Sequence, residues 1–269
     1  MSTSGIPKTI WFLWLQGLDQ APVVVQKCYE SWLKHNPDWN IVLLNEDTIQ
    51  EYIPLNPRQI THQALSDILR INLLAKYGGI WIDATCFCVK PLDEWIYNYL
   101  NSGFFVFERP APDRMISSWF IASSATNHIT QTYKAAVNEY WETNPDLRFF
   151  EDSEWSALMK KTEGLDTKMW FDIFVTRVLK VYPYFWFHYL FEKIYLQDET
   201  VRKIWDSTPK ISADLPHRVL FSGLVNPLSE DIKEEIDNRK FPIYKLSWKF
   251  DPAEYKEGTI LYYLLNRRD

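Results

Sequence analysis

The sequence predicts a single α/β domain built around a largely parallel sheet. Before residue 90, apolar runs typical of buried strands alternate with segments of helical periodicity, in the order strand, helix, strand, helix, strand. This alternation indicates parallel strands that are joined by helices. The chain has 269 residues, of which 46% are hydrophobic and 16% aromatic, and this is enough for one sizeable core.

The first three elements follow from local patterns. An apolar run at Thr9–Leu15 predicts a buried strand, and Gln16-Gly17 closes it. Helical periodicity over Val23–His35 predicts a helix, which Asn36-Pro37 ends. The second strand is predicted at Ile41–Leu44.

The next stretch, from residue 64 to residue 91, predicts a helix, a turn and a strand. Apolar residues recur at helical spacing from Leu65 to Leu73, and Gly78-Gly79 supplies the left-handed cap that ends such a helix. The short apolar run Ile80–Ile82 then predicts a buried strand.

Three charged residues in this stretch are candidate site residues. Asp67 and Arg70 are three positions apart on the predicted helix and therefore share one face. Asp83 follows the buried strand directly, where ligands bind in open α/β sheets. A carboxylate at the end of a dry strand is costly unless another group pairs with it.

Taken together, Asp67, Arg70, Gly78-Gly79 and Asp83 resemble the sugar-transferase region of capsular polysaccharide synthesis glycosyltransferases. More distantly, they resemble yeast-type mannosyltransferases and the glucosylating domain of large clostridial toxins. In those relatives a helix carries Asp-x-x-Arg, a Gly-Gly turn follows, and a strand ends in Asp-x-Asp. The resemblance runs from about residue 6 to residue 92 and returns near residues 241–249.

The resemblance implies a glycosyltransferase-A fold with a Rossmann-like nucleotide-binding sheet. A nucleotide-sugar-binding core is expected over about residues 1–125, and a helical, aromatic-rich acceptor side over about 126–240. A C-terminal segment, about residues 241–269, is expected to return to the active site. Ordinary dinucleotide or ATP binding is disfavoured because the sequence has no Gly-x-Gly-x-x-Gly and no Walker loop.

The resemblance also implies roles for the candidate residues. Leu13 and Trp14, at the end of the first strand, would hold the nucleotide base, with core filling as the alternative for Trp14. Arg70 would donate to a sugar hydroxyl or a phosphate, and Asp67 would accept from sugar hydroxyls. The alternative for that pair is a local helix ion pair worth ~0.2–0.5 kcal/mol. Asp83 would contact the ribose, the donor sugar or the water shell of a metal.

A divalent metal, Mn²⁺ or Mg²⁺, is implied by the resemblance, but one of its usual ligands is missing. Thr85 stands where relatives carry the second Asp, and a neutral hydroxyl is a poor replacement for a carboxylate. Either Asp83, water and phosphates hold the metal, or Lys245 and Lys249 take over charge neutralisation. Lys245, Ser247 and Lys249 lie in a predicted late strand or loop, and the alternative for the lysines is solvation on an edge strand.

The remaining elements are predicted from periodicity. Asp93–Leu100 is expected to be a short helix, Phe104–Phe107 a strand and Glu108–Pro110 a loop. Ile116–Ile121 is expected to be a strand and His128–Trp141 a helix.

The second half is expected to be mostly helical, over about residues 151–205, Ser229–Asn238 and Glu254–Leu265. The densest aromatic cluster, Val181–Tyr189, indicates either a surface that faces a lipid-linked acceptor or an internal packing layer. Packing is favoured because no basic face accompanies the aromatics, and His188 is expected to be a satisfied core histidine.

Composition excludes several classes of protein. The net charge of −6, without a basic run, argues against nucleic-acid binding. The three cysteines lack the spacing of a disulfide framework or a zinc site and are expected to be apolar core residues. With no secretory signal and no apolar run of about 18 residues, a soluble, cytoplasmic protein is expected, with possible peripheral contact with the inner membrane face.

The resemblance implies a retaining hexosyltransferase. The donor would be a nucleotide-sugar, with UDP-glucose and UDP-galactose leading, and the acceptor a capsular or surface oligosaccharide that is lipid-linked. A paired-carboxylate glycosidase is a weaker reading, because the motif suits a nucleotide site. The alternative of another class is a glycosyltransferase-like protein that binds a sugar nucleotide or glycan without turnover.

Overall fold

A five-stranded mixed sheet forms the centre of the fold. The structure is a computed structural model that describes residues 5–54, 60–151 and 166–267. The strand order in the central sheet is β2-β1-β3-β6-β5. The strands are β1 Thr9–Leu13, β2 Asn40–Leu44, β3 Gly79–Ile82, β4 Cys86–Cys88, β5 Phe104–Ala111, β6 Arg114–Ser123, β7 Arg148–Phe149, β8 Val181–Tyr182 and β9 Ile243–Lys245.

Half of the central sheet is parallel. Strand β1 pairs in parallel with β2 and β3, whereas β6 pairs antiparallel with both β3 and β5. The other strands form two small sheets, antiparallel β4-β9 and parallel β7-β8. The predicted α/β class is confirmed, and within the central sheet the parallel pairing is confined to the first three strands.

Eight α-helices are found in the described residues: α1 Val23–His35, α2 His62–Tyr77, α3 His128–Thr143, α4 Trp186–Gln197, α5 Glu199–Ser207, α6 Asp214–Phe221, α7 Glu230–Asp237 and α8 Ile260–Asn266. The predicted helix Val23–His35 has the predicted bounds. Within the described ranges, no helix has the length and apolar character needed to span a membrane.

Both faces of the sheet are covered around β1 and β3, where residues 10–13 and 79–82 are buried. Side chains alternate between the two faces along a strand. On one face, Ile10 and Phe12 of β1 belong to a core cluster with residues of α1 and α8. Trp11 and Leu13 belong to a second cluster on the opposite face, with α2, α3 and α4. The buried run that predicts the first strand therefore reflects a strand buried on two sides. The three cysteines are free and buried, as predicted.

Two predictions near the middle of the chain are wrong in detail. The segment Glu108–Pro110, predicted as a loop, lies inside β5, which continues to Ala111. The pairing with β6 shifts register on both sides of Glu108, and Arg109 has a φ of 48°, so an irregular strand produces loop-like sequence. In place of the predicted helix Asp93–Leu100 there are two short 3₁₀-helices, Leu92–Glu94 and Ile96–Tyr99.

The helical prediction for residues 151–205 holds only in part, and residues 152–165 lie outside the described residues. A 3₁₀-helix at Thr167–Phe171 and a π-helix at Phe174–Leu179 precede β8, and α4 and α5 follow. At the C-terminus, a 3₁₀-helix at Pro252–Glu254 and the shorter α8 replace the continuous helix predicted over Glu254–Leu265.

The predicted Gly78-Gly79 turn ends α2 and starts β3. Gly78 has a φ of 70° and its N–H donates to the Leu74 carbonyl, which caps the helix. Gly79 has a φ of 100°, and a Cβ there would lie 2.5 Å from the Thr9 carbonyl oxygen of β1. Only glycine allows α2 to turn into a strand this close to β1.

We expect Gly79→Ala to lower the free energy of unfolding by at least ~2 kcal/mol, because the added Cβ overlaps backbone and the φ is strained. Gly258→Ala is the matched control: its φ is +89° and no atom lies within 4 Å of the added Cβ. That control should cost about 1 kcal/mol, from backbone strain alone. Urea unfolding measures both, and equal costs would contradict the steric account.

Candidate functional site

A cleft of about 550 Å³ opens at the carboxyl ends of β1 and β3. Because β1 and β3 are parallel neighbours, the residues that follow them meet at one edge of the sheet. Strand β9 and the segment after it complete the wall. The cleft is lined by all nine residues that the sequence analysis assigns to a site: Leu13, Trp14, Asp67, Arg70, Asp83, Thr85, Lys245, Ser247 and Lys249.

The side chain of Arg70 is the centre of the polar floor of this cleft. Its Nη2 lies 3.1 Å from Asp67 Oδ1, and its Nη1 lies 3.3 Å from Asp83 Oδ1. Nη1 also donates to the Ser118 carbonyl of β6. Nη2 and Nε donate to the hydroxyl and the carbonyl oxygen of Ser66, one turn earlier on α2. Every guanidinium nitrogen therefore faces a protein oxygen, and Arg70 orients the two carboxylates.

Aromatic rings keep this ionic cluster away from water. The Arg70 Cζ lies 5.1 Å from the ring centroid of Trp81 and 5.7 Å from that of Phe187. The side chain of Arg70 is only 5% exposed, and that of Asp67 only 9%. Breaking this ion pair would therefore cost more free energy than breaking the exposed helix pair that the sequence leaves open. A buried charge that loses its partner costs several kcal/mol.

The two carboxylates have opposite pKa shifts. Burial raises the pKa of Asp67 to about 7; Arg70 opposes this rise and Asp83 adds to it. Burial also raises the pKa of Asp83, but Arg70, then Lys245 and the hydrogen bond from Trp81 outweigh it, so the net shift is downward. At neutral pH, Asp83 is ionised, whereas Asp67 is partly protonated and can donate as well as accept.

The position of Asp83 is fixed by its neighbours in the chain. Its backbone N–H donates to the Trp119 carbonyl of β6, and its carbonyl accepts from the Cys86 N–H in a tight turn. Oδ1 accepts a hydrogen bond of 3.0 Å from Trp81 Nε1. The side chain remains 29% exposed, so the carboxylate is reachable from the cleft.

Lys245 is held against Thr85 by the pairing of β9 with β4. The Leu246 N–H donates to the Thr85 carbonyl at 2.8 Å, and Lys245 is paired with Cys86. Lys245 Nζ donates to Thr85 Oγ1 at 2.5 Å and to the Leu246 carbonyl at 3.2 Å. The alternative of a solvated edge lysine does not describe Lys245, which is partly buried.

Two tryptophans close the other end of the cleft. Trp14 and Trp248 meet edge to face, with ring centroids 6.0 Å apart, and Trp248 is 44% exposed. In the described part of the chain, Trp14 Nε1 is buried without a hydrogen-bond partner. Next to this pair, the Lys249 N–H donates to Ser247 Oγ, which shapes the loop after β9.

A family model described as "Capsular polysaccharide synthesis protein" matches residues 2–151 and 150–264. The chain belongs to this family. The resemblance stated from Asp67, Arg70, Gly78-Gly79 and Asp83 is therefore confirmed.

The curated proteins that this chain resembles are named as glycosyltransferases. The chain is 24% identical over 168 residues to O-glycosyltransferase braB of Annulohypoxylon truncatum. The aligned stretch covers 53% of this chain and 40% of that protein. It is 26% identical over 172 residues to the uncharacterized glycosyltransferase L373 of Acanthamoeba polyphaga mimivirus, and the alignment covers 52% of this chain and 68% of that protein. It is 29% identical over 108 residues to the initiation-specific alpha-1,6-mannosyltransferase of Saccharomyces cerevisiae, with 35% and 22% covered.

The chain therefore spans less than half the length of the first of these relatives. Among solved structures, the PaToxG glycosyltransferase aligns over 80% of this chain and 83% of its own, with 18% identity and a TM-score of 0.37. A similarity this low carries no argument. The mixed α/β architecture is consistent with the glycosyltransferase-A class expected of the family.

One cleft residue that sequence reasoning misses is His188, near the start of α4. It is predicted to be a satisfied core histidine, but in the described residues its Nδ1 has no hydrogen-bond partner. Burial, helped by Arg114 and Arg70, lowers its pKa to about 3, so the imidazole is neutral. Most of the surrounding aromatic run packs internally, as favoured: Val181, Tyr182, Trp186, Phe187 and Tyr189 are buried, whereas Tyr184 is 46% exposed. The packing of α4 against β6 brings His188 to the cleft.

The side chains of this cleft offer few free ligands of their own to a divalent metal. Mg²⁺ and Mn²⁺ take about six oxygen ligands, of which carboxylates are the strongest. Asp83 Oδ1 already faces Arg70 and Trp81, and Thr85 Oγ1 already accepts from the Lys245 ammonium. Across the described ranges, no cluster of three or more His, Cys, Asp or Glu is placed to hold a metal.

The raised pKa of Asp67 predicts a pH-dependent cost of folding. A carboxyl that binds its proton more tightly when folded loses stability as pH rises from its unfolded pKa, near 4, to its folded pKa, near 7. Asp67→Asn removes this titration. Relative to wild type, we expect the variant to gain about 2 kcal/mol in unfolding free energy between pH 5 and pH 8.

Urea unfolding of both proteins at pH 5, 6, 7 and 8 measures this difference, which cancels the titration of groups common to both. The surface variant Asp93→Asn is the control, since that carboxylate has a lowered pKa and pairs with Lys8. A difference between Asp67→Asn and wild type that stays constant with pH would contradict the assignment.

Proposed function

We propose that this protein is a retaining glycosyltransferase. It would transfer a hexose from a nucleoside-diphosphate sugar to a saccharide acceptor. The observation that carries the proposal is the charged cleft at the carboxyl ends of parallel strands. It holds the carboxylates of Asp67 and Asp83, which Arg70 orients, and the ammonium of Lys245 lines the same cleft. Family membership and the names of the curated relatives support the same class of reaction.

The cleft offers a separate place for each part of the donor. The Trp14–Trp248 pair provides aromatic surface for a nucleotide base, as proposed for the end of the first strand. Asp83, ionised and partly exposed, can accept from ribose or sugar hydroxyls. Asp67, partly protonated, can both donate to and accept from a sugar hydroxyl. Leu13 lines the apolar side of the base position.

The leaving diphosphate needs positive charge. Lys245 and Lys249 line the same wall of the cleft, and Ser247 between them adds a hydroxyl. Charge that develops on the bridging oxygen as the sugar leaves is stabilised best by cations and donors that are already in place. Arg70 contributes indirectly, because its guanidinium nitrogens are occupied by protein oxygens.

Retention is what the family resemblance implies, and for a retaining enzyme the arrangement of the carboxylates favours transfer at the front face. Asp67 is buried against Arg70, and Asp83 is paired with it, so neither is a free nucleophile for a covalent intermediate. The bond from the sugar carbon to the diphosphate oxygen breaks, and the acceptor oxygen bonds to the same face. The acceptor hydroxyl gives its proton to the departing diphosphate.

The acceptor would enter beside α4, where Tyr184 and the neutral His188 line the cleft. A hydroxyl-rich acceptor suits these polar groups on an aromatic surface. The family supports a capsular or surface saccharide as acceptor, and a lipid carrier on it is part of our proposal. UDP-glucose and UDP-galactose are the donors that we propose.

Thr85 favours a second candidate, a protein that binds sugar nucleotides without turnover. Loss of a carboxylate at this position is the change expected if catalysis had been lost. Turnover separates the two candidates, since both bind the donor.

For the proposed function, we expect uridine nucleotides to raise the melting temperature in a panel of UDP, GDP, UDP-glucose, UDP-galactose and GDP-mannose. A ligand that binds only the folded state adds ~2.7 kcal/mol of stability at a hundredfold excess over its dissociation constant. Release of UDP from the binding UDP-sugar then reports transfer or slow hydrolysis. Binding without any release would favour the second candidate, and no binding by any nucleotide would overturn both.

Asp83→Asn should reduce this turnover at least ~100-fold, because the amide has the shape of the carboxylate but lacks its charge. Asp93→Asn is the matched control, a surface carboxylate 2.6 Å from Lys8 and outside the cleft. It should keep wild-type activity. Melting temperatures verify that both variants are folded at the assay temperature. Near wild-type turnover in Asp83→Asn would remove that residue from the reaction.

A further inference from the structure

The charges in the cleft indicate how a diphosphate is neutralised there. Three ionised groups lie together on the floor: Arg70, Asp83 and Lys245. Arg70 and Lys245 are two cations beside this one carboxylate, and both lower the pKa of Asp83. Asp67 can remain neutral by keeping its proton. The floor therefore has a positive charge in excess before any ligand binds.

A divalent cation has little to gain at this floor. It would approach two fixed positive charges, and repulsion between like charges in a partly buried site is substantial. The oxygen at Thr85 is turned toward an ammonium donor at 2.5 Å and is not free to coordinate. Of the Asp83 carboxylate, Oδ2 alone has no hydrogen-bond donor among the described residues. A metal here would have one protein carboxylate oxygen and would take its other ligands from water and the donor's phosphates.

An anionic ligand, in contrast, finds a preorganised donor. Lys245 has three N–H groups, and in the described residues two of them donate to protein oxygens. The third remains for a phosphate oxygen. The side chain is restrained because β9 pairs with β4 and the Leu246 N–H bonds the Thr85 carbonyl. An ammonium held in place this way loses little conformational entropy when it meets an anion.

We propose that this protein binds the diphosphate of its donor without a divalent metal, with the Lys245 ammonium, oriented by Thr85, supplying the positive charge. This inference rests on the proposed function. Thr85 acts as a positioning residue for Lys245. The chemistry recognised is a nucleoside diphosphate, and the same cation stabilises the diphosphate as it leaves.

The test is calorimetric binding of UDP and, separately, of GDP, each in excess EDTA and in Mn²⁺. For the nucleotide that binds, we expect the dissociation constant in EDTA to lie within about threefold of that in Mn²⁺. Lys245→Met, which keeps the length of the side chain without its charge, should weaken binding in EDTA at least tenfold, about 1.4 kcal/mol. Lys193→Met is the matched control, because Lys193 packs over Phe171 outside the cleft.

Two more variants distinguish charge from fold. Lys245→Arg keeps the charge and should retain binding within about threefold, even if Lys245→Met lowers the melting temperature. Thr85→Val keeps the shape of Thr85 but removes the acceptor, so it should weaken binding in EDTA by a smaller factor than Lys245→Met.

Each outcome has one meaning. Binding by wild type that requires Mn²⁺, or wild-type affinity of Lys245→Met in EDTA, overturns the metal-independent site while leaving the proposed function intact. No binding of either nucleotide by wild type, with or without metal, overturns both. Metal-independent binding that weakens at least tenfold in Lys245→Met, less in Thr85→Val, and not in Lys245→Arg or Lys193→Met supports the inference.

Discussion

One buried guanidinium holds the site together. Arg70 is 5% exposed, and its nitrogens reach two carboxylates, a hydroxyl and two carbonyl oxygens. Taking a cation and its partners out of water costs several kcal/mol per ion unless every donor is satisfied, so these acceptors must arrive together. They come from α2, from the end of β3 and from β6. The turn at Gly79, which brings α2 directly into β3, is therefore a condition for the ion cluster and not only for the sheet.

The charge of this cluster adjusts through Asp67. With both carboxylates ionised, Arg70 alone would leave an excess negative charge beside Trp81 and Phe187, and the charge of Lys245 would be needed to balance it. The raised pKa of Asp67 relieves that excess by retaining a proton near neutral pH. Lys245 then meets an Asp83 that is already paired. Two of its N–H groups donate to Thr85 Oγ1 and the Leu246 carbonyl, and the third remains available to an anion in the cleft.

What could be predicted from the sequence is local or depends on strand ends. The i, i+3 spacing of Asp67 and Arg70 places them on one helix face, and the apolar run before Asp83 places it at the sheet edge. The contact between Lys245 and Thr85, 160 residues apart in the chain, depends on which strand β9 joins, and no local pattern encodes that choice. The place of His188 in the cleft could not be predicted for a different reason. Its aromatic neighbours predict packing correctly, and a single polar residue among them adds no periodic signal. At Glu108–Pro110, bulged strand and loop have the same composition.

Thr85 and Lys245 are best understood as one unit. A carboxylate at position 85 would lie within ion-pair distance of the ammonium and would take up the charge that an incoming diphosphate needs. The threonine hydroxyl keeps the geometry of that contact but does not neutralise the charge of Lys245. Conversely, a neutral residue at position 245 would leave Thr85 without a donor and the floor with no cation free of a buried ion pair. The departure from Asp-x-Asp at Asp83-Ala84-Thr85 is thus the change that a lysine-based anion site requires, and it need not mark a lost activity.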